Sequence, residues 1–196
     1  MEACGNYFID EIREILSRRE RKVIDHLPFH RAAVLVPLFE KEGACHLLFT
    51  KRSDRVKHHK GEVSFPGGMF DEEDGDLKRT ALREASEEVG LKEDQVQILG
   101  VLDDIVTISE FIVTPFVGVF PYPFPFKLSP IEIAELIEVP LASLLDPDCF
   151  GEKEIIQMGR KRIVQAYQYQ HHSIWGATAH ILKQFLDFIT ARESAE

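Results

Sequence analysis

Glu84, Glu87 and Glu88 fall together in the run Leu-Arg-Glu-Ala-Ser-Glu-Glu-Val-Gly, residues 82–90. Successive residues of an α-helix turn by about 100°, so with Glu84 as zero, Glu88 lies about 40° to one side and Glu87 about 60° to the other. Leu82, Ala85 and Val89 occupy the opposite arc, between about 100° and 160°. One face can therefore pack while the other presents three carboxylates. Like charges at this spacing repel by a few tenths of a kcal/mol per pair, and the negative end of the helix dipole adds to that cost. Local stability does not account for the cluster. A hard divalent cation does, because Mg²⁺ or Mn²⁺ takes oxygen ligands from a few carboxylates, water and substrate phosphate. Arg83 can brace one carboxylate or a nearby backbone carbonyl. A solvated acidic face is the alternative reading of these residues alone.

Upstream, the stretch Thr-Lys-Arg-Ser-Asp-Arg-Val-Lys-His-His-Lys-Gly (50–61) concentrates positive charge. It stands out in a chain of 196 residues with a formal net charge of −10. Such a balance excludes a general nucleic-acid binder. A small polyanion can still be held by a local basic patch or by bound cations. The three cysteines, Cys4, Cys45 and Cys149, are scattered with no Cys-x-x-Cys pair, which argues against a disulfide framework and points to a reducing compartment. The first residues lack the pattern of a secretory signal, and no apolar run is long enough to span a membrane. The expected location is the cytoplasm.

The elements that must position these groups follow from periodicity. Apolar residues at Phe8, Ile9, Ile12, Ile15, Leu16 and Ile24 predict an N-terminal helix over 6–25, with a role in packing or in pairing with a second subunit as a homodimer. Residues 31–40 and 44–52 read as strands about a Lys-Glu-Gly turn, and 61–65 as a short strand ended by Pro66 and a loop at Gly67 and Gly68. The helix over 76–91 has Asp76 as its cap and Gly90 as its left-handed stop. Strands follow at 96–107, 111–121 and 132–140, with a proline-dense loop at 121–130. A short helical turn over 141–147, a hairpin over 153–170 about Gly-Arg-Lys and a final helix over 175–191 complete the chain. Strands and helices do not alternate strictly, so a doubly wound parallel sheet is disfavoured. The expected fold is a single α/β (α+β) domain with a mixed β-sheet sandwiched between helices.

Residues 67–91 resemble the Nudix box: Gly, five residues, Glu, seven residues, Arg-Glu, an apolar residue, any residue, Glu-Glu, any residue, Gly and an apolar residue. Arg83, Glu84, Ala85, Glu87, Glu88, Gly90 and Leu91 match in register. The start departs, with Asp74 in place of glutamate and one extra residue before Arg83. That departure, together with Leu47, Leu48, Thr50, Arg52, Ser53, His59, Gly61, Glu62, Val63, Phe65, Pro66, Gly67, Gly68 and Asp71, is similar to the coenzyme A pyrophosphatase branch of the family. Phe49 is an extra residue in that segment. The likeness extends over roughly residues 30–190.

The resemblance implies a Nudix fold and metal-dependent cleavage of the diphosphate of coenzyme A, or of a derivative, to 4′-phosphopantetheine and adenosine 3′,5′-bisphosphate. It implies that Glu84, Glu87 and Glu88 hold Mg²⁺ or Mn²⁺. Gly67 and Gly68 would admit phosphate to the backbone, and Arg52, Lys57 and His59 would contact the phosphates of the substrate. Glu132 or Glu135 would serve as base or extra ligand. Asp74 has no assigned role. The Tyr122–Phe126 run packs its loop or lines a pocket for the adenine or pantetheine arm. His171, His172 and His180 read as surface or core residues without ligand spacing. The rival readings are a pyrophosphatase for ADP-ribose, NADH or another nucleoside diphosphate derivative, and a non-catalytic module that senses a nucleotide.

Overall fold

The computed structural model describes residues 5–157 and 160–191. Its main sheet carries β1 (His30–Lys41), β2 (Ala44–Arg52), β3 (Val63–Ser64), β4 (Gly67–Met69), β5 (Gln97–Val101), β6 (Ile105–Val106), β7 (Phe111–Val119) and β8 (Ile133–Pro140). The spine of the sheet runs β3-β2-β1-β7-β5, with β4 paired to β1, β6 to β7 and β8 to β2. β1 is parallel to β7 and antiparallel to β2 and β4, so the sheet is mixed. A second sheet of β9 (Phe150–Gln157), β10 (Arg160–Tyr169) and β11 (His172–Trp175) stands apart. The helices are α1 (Asn6–Arg18), α2 (Leu77–Val89), the short α3 (Leu141–Leu145) and α4 (Gly176–Thr190).

Strand alternation splits the core in two, because successive side chains point to opposite faces. On β1, Ala32, Val36 and Leu38 join Ile12, Leu16, Phe185 and Leu186 of α1 and α4. Ala33, Leu35 and Phe39 join Ala81, Ala85 and Val89 of α2. The expected layering of one mixed sheet between helices is what the chain adopts.

Several local expectations are corrected. The N-terminal helix ends at Arg18 rather than Ile24 or Asp25. The Asp103 and Asp104 carboxylates accept the backbone N–H groups of Lys22 and Ile24, and Lys22 returns its carbonyl to Asp104. These bonds favour extended backbone where the apolar spacing favoured helix. What remains of α1 packs inward, with Ile12 and Leu16 buried, and a side chain at Gly100 of β5 would lie 2.5 Å from Leu16. Gly67 and Gly68 form a strand paired with Val34 and Ala33, not a loop. The 96–107 segment splits into β5 and β6, and β11 was not foreseen. Arg160 and Lys161 lie in β10, while Gly159 of the expected hairpin turn falls outside the described residues. Cys149 is free and buried. Among the described residues no helix is long and apolar enough to cross a membrane.

Candidate active site

Helix α2 starts where its cap predicts, with Asp76 accepting from Arg79 N–H at 2.8 Å. It stops at Gly90, whose φ of +79° is left-handed. Its C-terminal carbonyls do not face water. Lys127 and Ser129 donate their N–H groups to the carbonyls of Val89 and Glu88, at 3.0 and 2.9 Å. The proline-rich loop thus crosses the end of α2, and Phe124 and Phe126 pack edgewise on Phe120. These partly buried rings pack against the α2-side core.

The same crossing carries Glu132 to the acid face. Glu132 donates its N–H to Ser129 and accepts at its carbonyl from Ser53 N–H, at 3.1 and 2.7 Å. Its carboxylate adds to the negative field at both Glu84 and Glu88. Glu135 is placed elsewhere. It pairs across the sheet with Lys51, and its Oε2 is 3.6 Å from Lys51 Nζ. Its neighbours in alternation, Ile137 and Val139, belong to the α1–α4 side of the core. The sheet therefore separates Glu135 from the α2 carboxylates.

The three helix glutamates occupy graded environments. Glu87 is exposed and held 3.0 Å from Arg83. Glu84 is partly buried, and burial raises its pKa against the pull of Arg83. Glu88 is buried, which the reading of this face as merely solvated does not allow, and burial pushes its carboxyl up to about 8 although Arg52 opposes the shift. Its Oε1 lies 3.7 Å from Arg52 Nη1, and its Oε2 has no hydrogen-bond partner. The Nε of Arg52 is likewise buried without a partner. A buried polar atom left unpaired costs about 1–3 kcal/mol, so two adjacent ones point to absent ligands of opposite charge.

Arg83 and Asp74 brace this face from outside. Arg83 donates to Asp74 Oδ1 and Oδ2, Glu84, Glu87 and the Met69 carbonyl, which uses all five of its N–H donors. Asp74 also accepts from Thr80 Oγ1 and Asp71 N–H. Hydrogen bonding from Arg83 is the largest influence holding the Asp74 carboxyl down at about 2. Asp74 thus has a role that its place in the sequence left open: it fixes the arginine that fixes Glu84. The signal available in the sequence was its substitution for a glutamate in the resembled pattern.

Gly68 faces Glu84 so closely that an added Cβ would stand 2.4 Å from the Glu84 carboxyl. At Gly67 an added Cβ would stand 2.4 Å from the Ala33 carbonyl oxygen. Lys57 and His59 lie on the exposed turn between β2 and β3, where His59 Nδ1 is 2.9 Å from Glu62. The structure brings together Arg52, Gly67, Gly68, Glu84, Glu88 and Glu132, leaves Glu87 at the rim, and keeps Lys57 and His59 on the periphery. Glu84 and Glu88 offer carboxylate oxygens, the ligand type a hard divalent cation takes, and Glu132 adds its charge from the neighbouring loop.

The NUDIX domain family model matches residues 28–157. The chain is 40% identical over 153 residues, 78% of this chain and 81% of the relative, to an uncharacterized Nudix hydrolase NudL of Photorhabdus laumondii. It is 38% identical over 170 residues, 86% of this chain and 72% of the relative, to the peroxisomal coenzyme A diphosphatase NUDT7 of Mus musculus. A MutT/nudix family protein from Enterococcus faecalis superposes with a TM-score of 0.54 at 12% identity, over 95% of this chain and 73% of that one. That last likeness bears on the fold alone. A family match over most of the chain, with relatives above 30% identity, makes this protein a member of the Nudix hydrolase family.

Proposed function

We propose that this hydrolase cleaves the diphosphate of coenzyme A, or of a close derivative, to 4′-phosphopantetheine and adenosine 3′,5′-bisphosphate. The observation that carries the reading is the pair of unpartnered buried atoms, Glu88 Oε2 and Arg52 Nε, on side chains that face each other. The first calls for a cation and the second for an anion. A diphosphate with its divalent counter-ion supplies both. The substrate is suggested by residues 47–71, which resemble the coenzyme A branch, and by the likeness to a coenzyme A diphosphatase.

In this reading Glu84 and Glu88 hold Mg²⁺ or Mn²⁺, with Glu87 as a ligand reached from the rim. When bound, the cation neutralises the diphosphate oxygens and lowers the pKa of the attacking water. Arg52 orients the phosphates from the opposite side, and the backbone at Gly67 and Gly68 admits them without a side chain in the way. Lys57 and His59 meet the outer phosphate of the nucleotide. Glu132 accepts the proton of the attacking water, because it is the carboxylate on a separate loop that faces both helix ligands. Glu135, on the other face of the sheet, has no part in that step.

The test is to incubate the protein with coenzyme A and MgCl₂ or MnCl₂ and to separate the products. Equal amounts of the bisphosphate and of phosphopantetheine are expected. Cleavage of ADP-ribose or NADH with coenzyme A left intact would overturn the substrate and retain the chemistry. Metal-dependent binding of a nucleotide without turnover would leave a sensing module instead.

A further inference from the structure

On the sheet face away from α2, we infer that Glu135, His171 and His172 form a second metal site, for a borderline cation of the Zn²⁺ type. The three side chains come from β8 and from the tight hairpin between β10 and β11. Tyr169 pairs with His172, so Gln170 and His171 are the two turn residues, and Gln170 adopts a left-handed φ of +53°. The turn breaks the alternation that would have sent adjacent side chains to opposite faces. The two imidazole rings lie 3.9 Å apart, centroid to centroid. One ligand atom from each of the three residues falls within 4.8 Å of the others.

The His172–Glu135 pair is a hydrogen-bonded ion pair whose spacing also matches the edge of a metal site. His172 Nε2 is 3.3 Å from Glu135 Oε1. An N–H···O bond settles near about 2.9–3.0 Å. In a tetrahedral site with N and O ligand bonds of about 2.0–2.1 Å, the edge between two ligands is about 3.3–3.4 Å. His172 is buried and held by the hairpin, Glu135 is half-buried, and His171 is exposed. Two ligands are thus fixed and the third can close on an ion arriving from solvent. The fourth position remains open to water.

Charge and donor type select the ion. Lys51 Nζ holds the other oxygen of Glu135 at 3.6 Å, orienting that carboxylate as an outer partner does. Its positive charge offsets that of Glu135, so a hard cation that relies on carboxylate charge gains little here. Imidazole nitrogen favours Zn²⁺, Ni²⁺ or Cu²⁺ over Mg²⁺. The bound ion would clip the second sheet, through the β10–β11 turn, to the β8 edge of the first. Binding only the folded chain, it stabilises that chain by mass action.

The experiment uses untagged protein stripped of metal, with millimolar Mg²⁺ present to occupy the α2 carboxylates. Titration with ZnCl₂ is followed by calorimetry and by the thermal midpoint. One equivalent is expected to bind, with the midpoint raised by about 5–10 °C at a 100-fold excess over Kd. His171→Ala, at an exposed turn position, is expected to keep the midpoint of the zinc-free parent and to bind Zn²⁺ on the order of 100-fold more weakly; Glu135→Gln should weaken it similarly. An unchanged midpoint with Zn²⁺, or equal Zn²⁺ affinity in the parent, His171→Ala and Glu135→Gln proteins, would overturn the site. Loss of the Zn²⁺ response only in Glu88→Gln would assign the ion to α2 and overturn it too.

Discussion

Arg83 donates through every N–H it possesses, and Asp74 receives two of those bonds on a buried carboxylate. Replacing Asp74 by Asn leaves the guanidinium attached to Glu84 and Glu87 but removes its fixed anchor. Loss of a charged hydrogen-bonded pair of this kind costs about 1.5–3 kcal/mol, which urea unfolding at neutral pH will register. The sign with pH follows from the lowered carboxyl. Its contribution is present above the ordinary aspartate range and is lost as pH falls toward about 2, so the parent and variant stabilities converge in acid. Turnover should fall as well, because the guanidinium that orients Glu84 is no longer held in place. Parent-like stability in Asp74→Asn would contradict this account. A second pair separates two glutamates that are close in sequence. Glu132→Gln is expected to lower kcat by on the order of 100-fold, whereas Glu135→Gln, behind the sheet, lowers it far less. The reverse order in a steady-state assay would sink the assignment of the base. The sequence offered both as candidates, since three residues of separation on a strand and its preceding loop do not reveal which face each will take.

At the scale of elements, the helix was the readable part and the short strands were not. α2 carries its own signals in Asp76, Gly90 and its apolar arc, so its limits and its two faces were legible before any fold was known. Gly67 and Gly68 resembled a loop because Pro66 and two glycines are turn formers, yet their partners are Ala33 and Val34 of a strand far back in the chain. No local pattern encodes that pairing. α1 was overextended for the same reason, its end being decided by Asp103 and Asp104. The burial of Glu88 was also hidden, because its carboxylate lies against Arg52 of β2 and the Gly67 backbone of β4, neighbours distant in the chain. The β4 pairing gives the two glycines different consequences. In Gly67→Ala the new methyl meets β1 backbone, so the midpoint of thermal unfolding should drop by several degrees, with a cost of about 1–3 kcal/mol. In Gly68→Ala the methyl meets the Glu84 carboxyl, a movable side chain. That variant should stay folded and lose metal-dependent turnover by at least roughly tenfold. Comparing midpoints with rates decides it, and a matched loss of both quantities in both variants would refute the distinction.

For the whole molecule, a chain with net charge −10 buries one carboxylate, Glu88, at the proposed site. On the proposed reading, the ion that neutralises Glu88 arrives with the substrate and need not be present during folding. Stability should then depend on pH in opposite ways with and without cation. Burial raises the Glu88 carboxyl to about 8 in the folded, metal-free chain, against about 4.3 in an unfolded one. Below the unfolded value the group is protonated in both states and imposes no penalty. As pH rises through the window up to the folded value, the folded chain retains a proton that the unfolded chain releases, and stability is lost. General repulsion among the other acids acts in the same direction, so the parent alone does not isolate the effect. Glu88→Gln does, because glutamine imitates the protonated carboxyl. With a chelator present, the thermal midpoint of the parent is expected to fall more steeply between pH 5 and 8 than that of Glu88→Gln, roughly the window those two pKa values define. With excess Mg²⁺ or Mn²⁺ the parent should recover at the upper end of the range, since the cation binds the ionised form and the folded chain alone. The variant should respond less. Parallel midpoint curves for the two proteins under chelation would mean that Glu88 is not the group that carries the penalty, and would remove the central ligand from the proposed site.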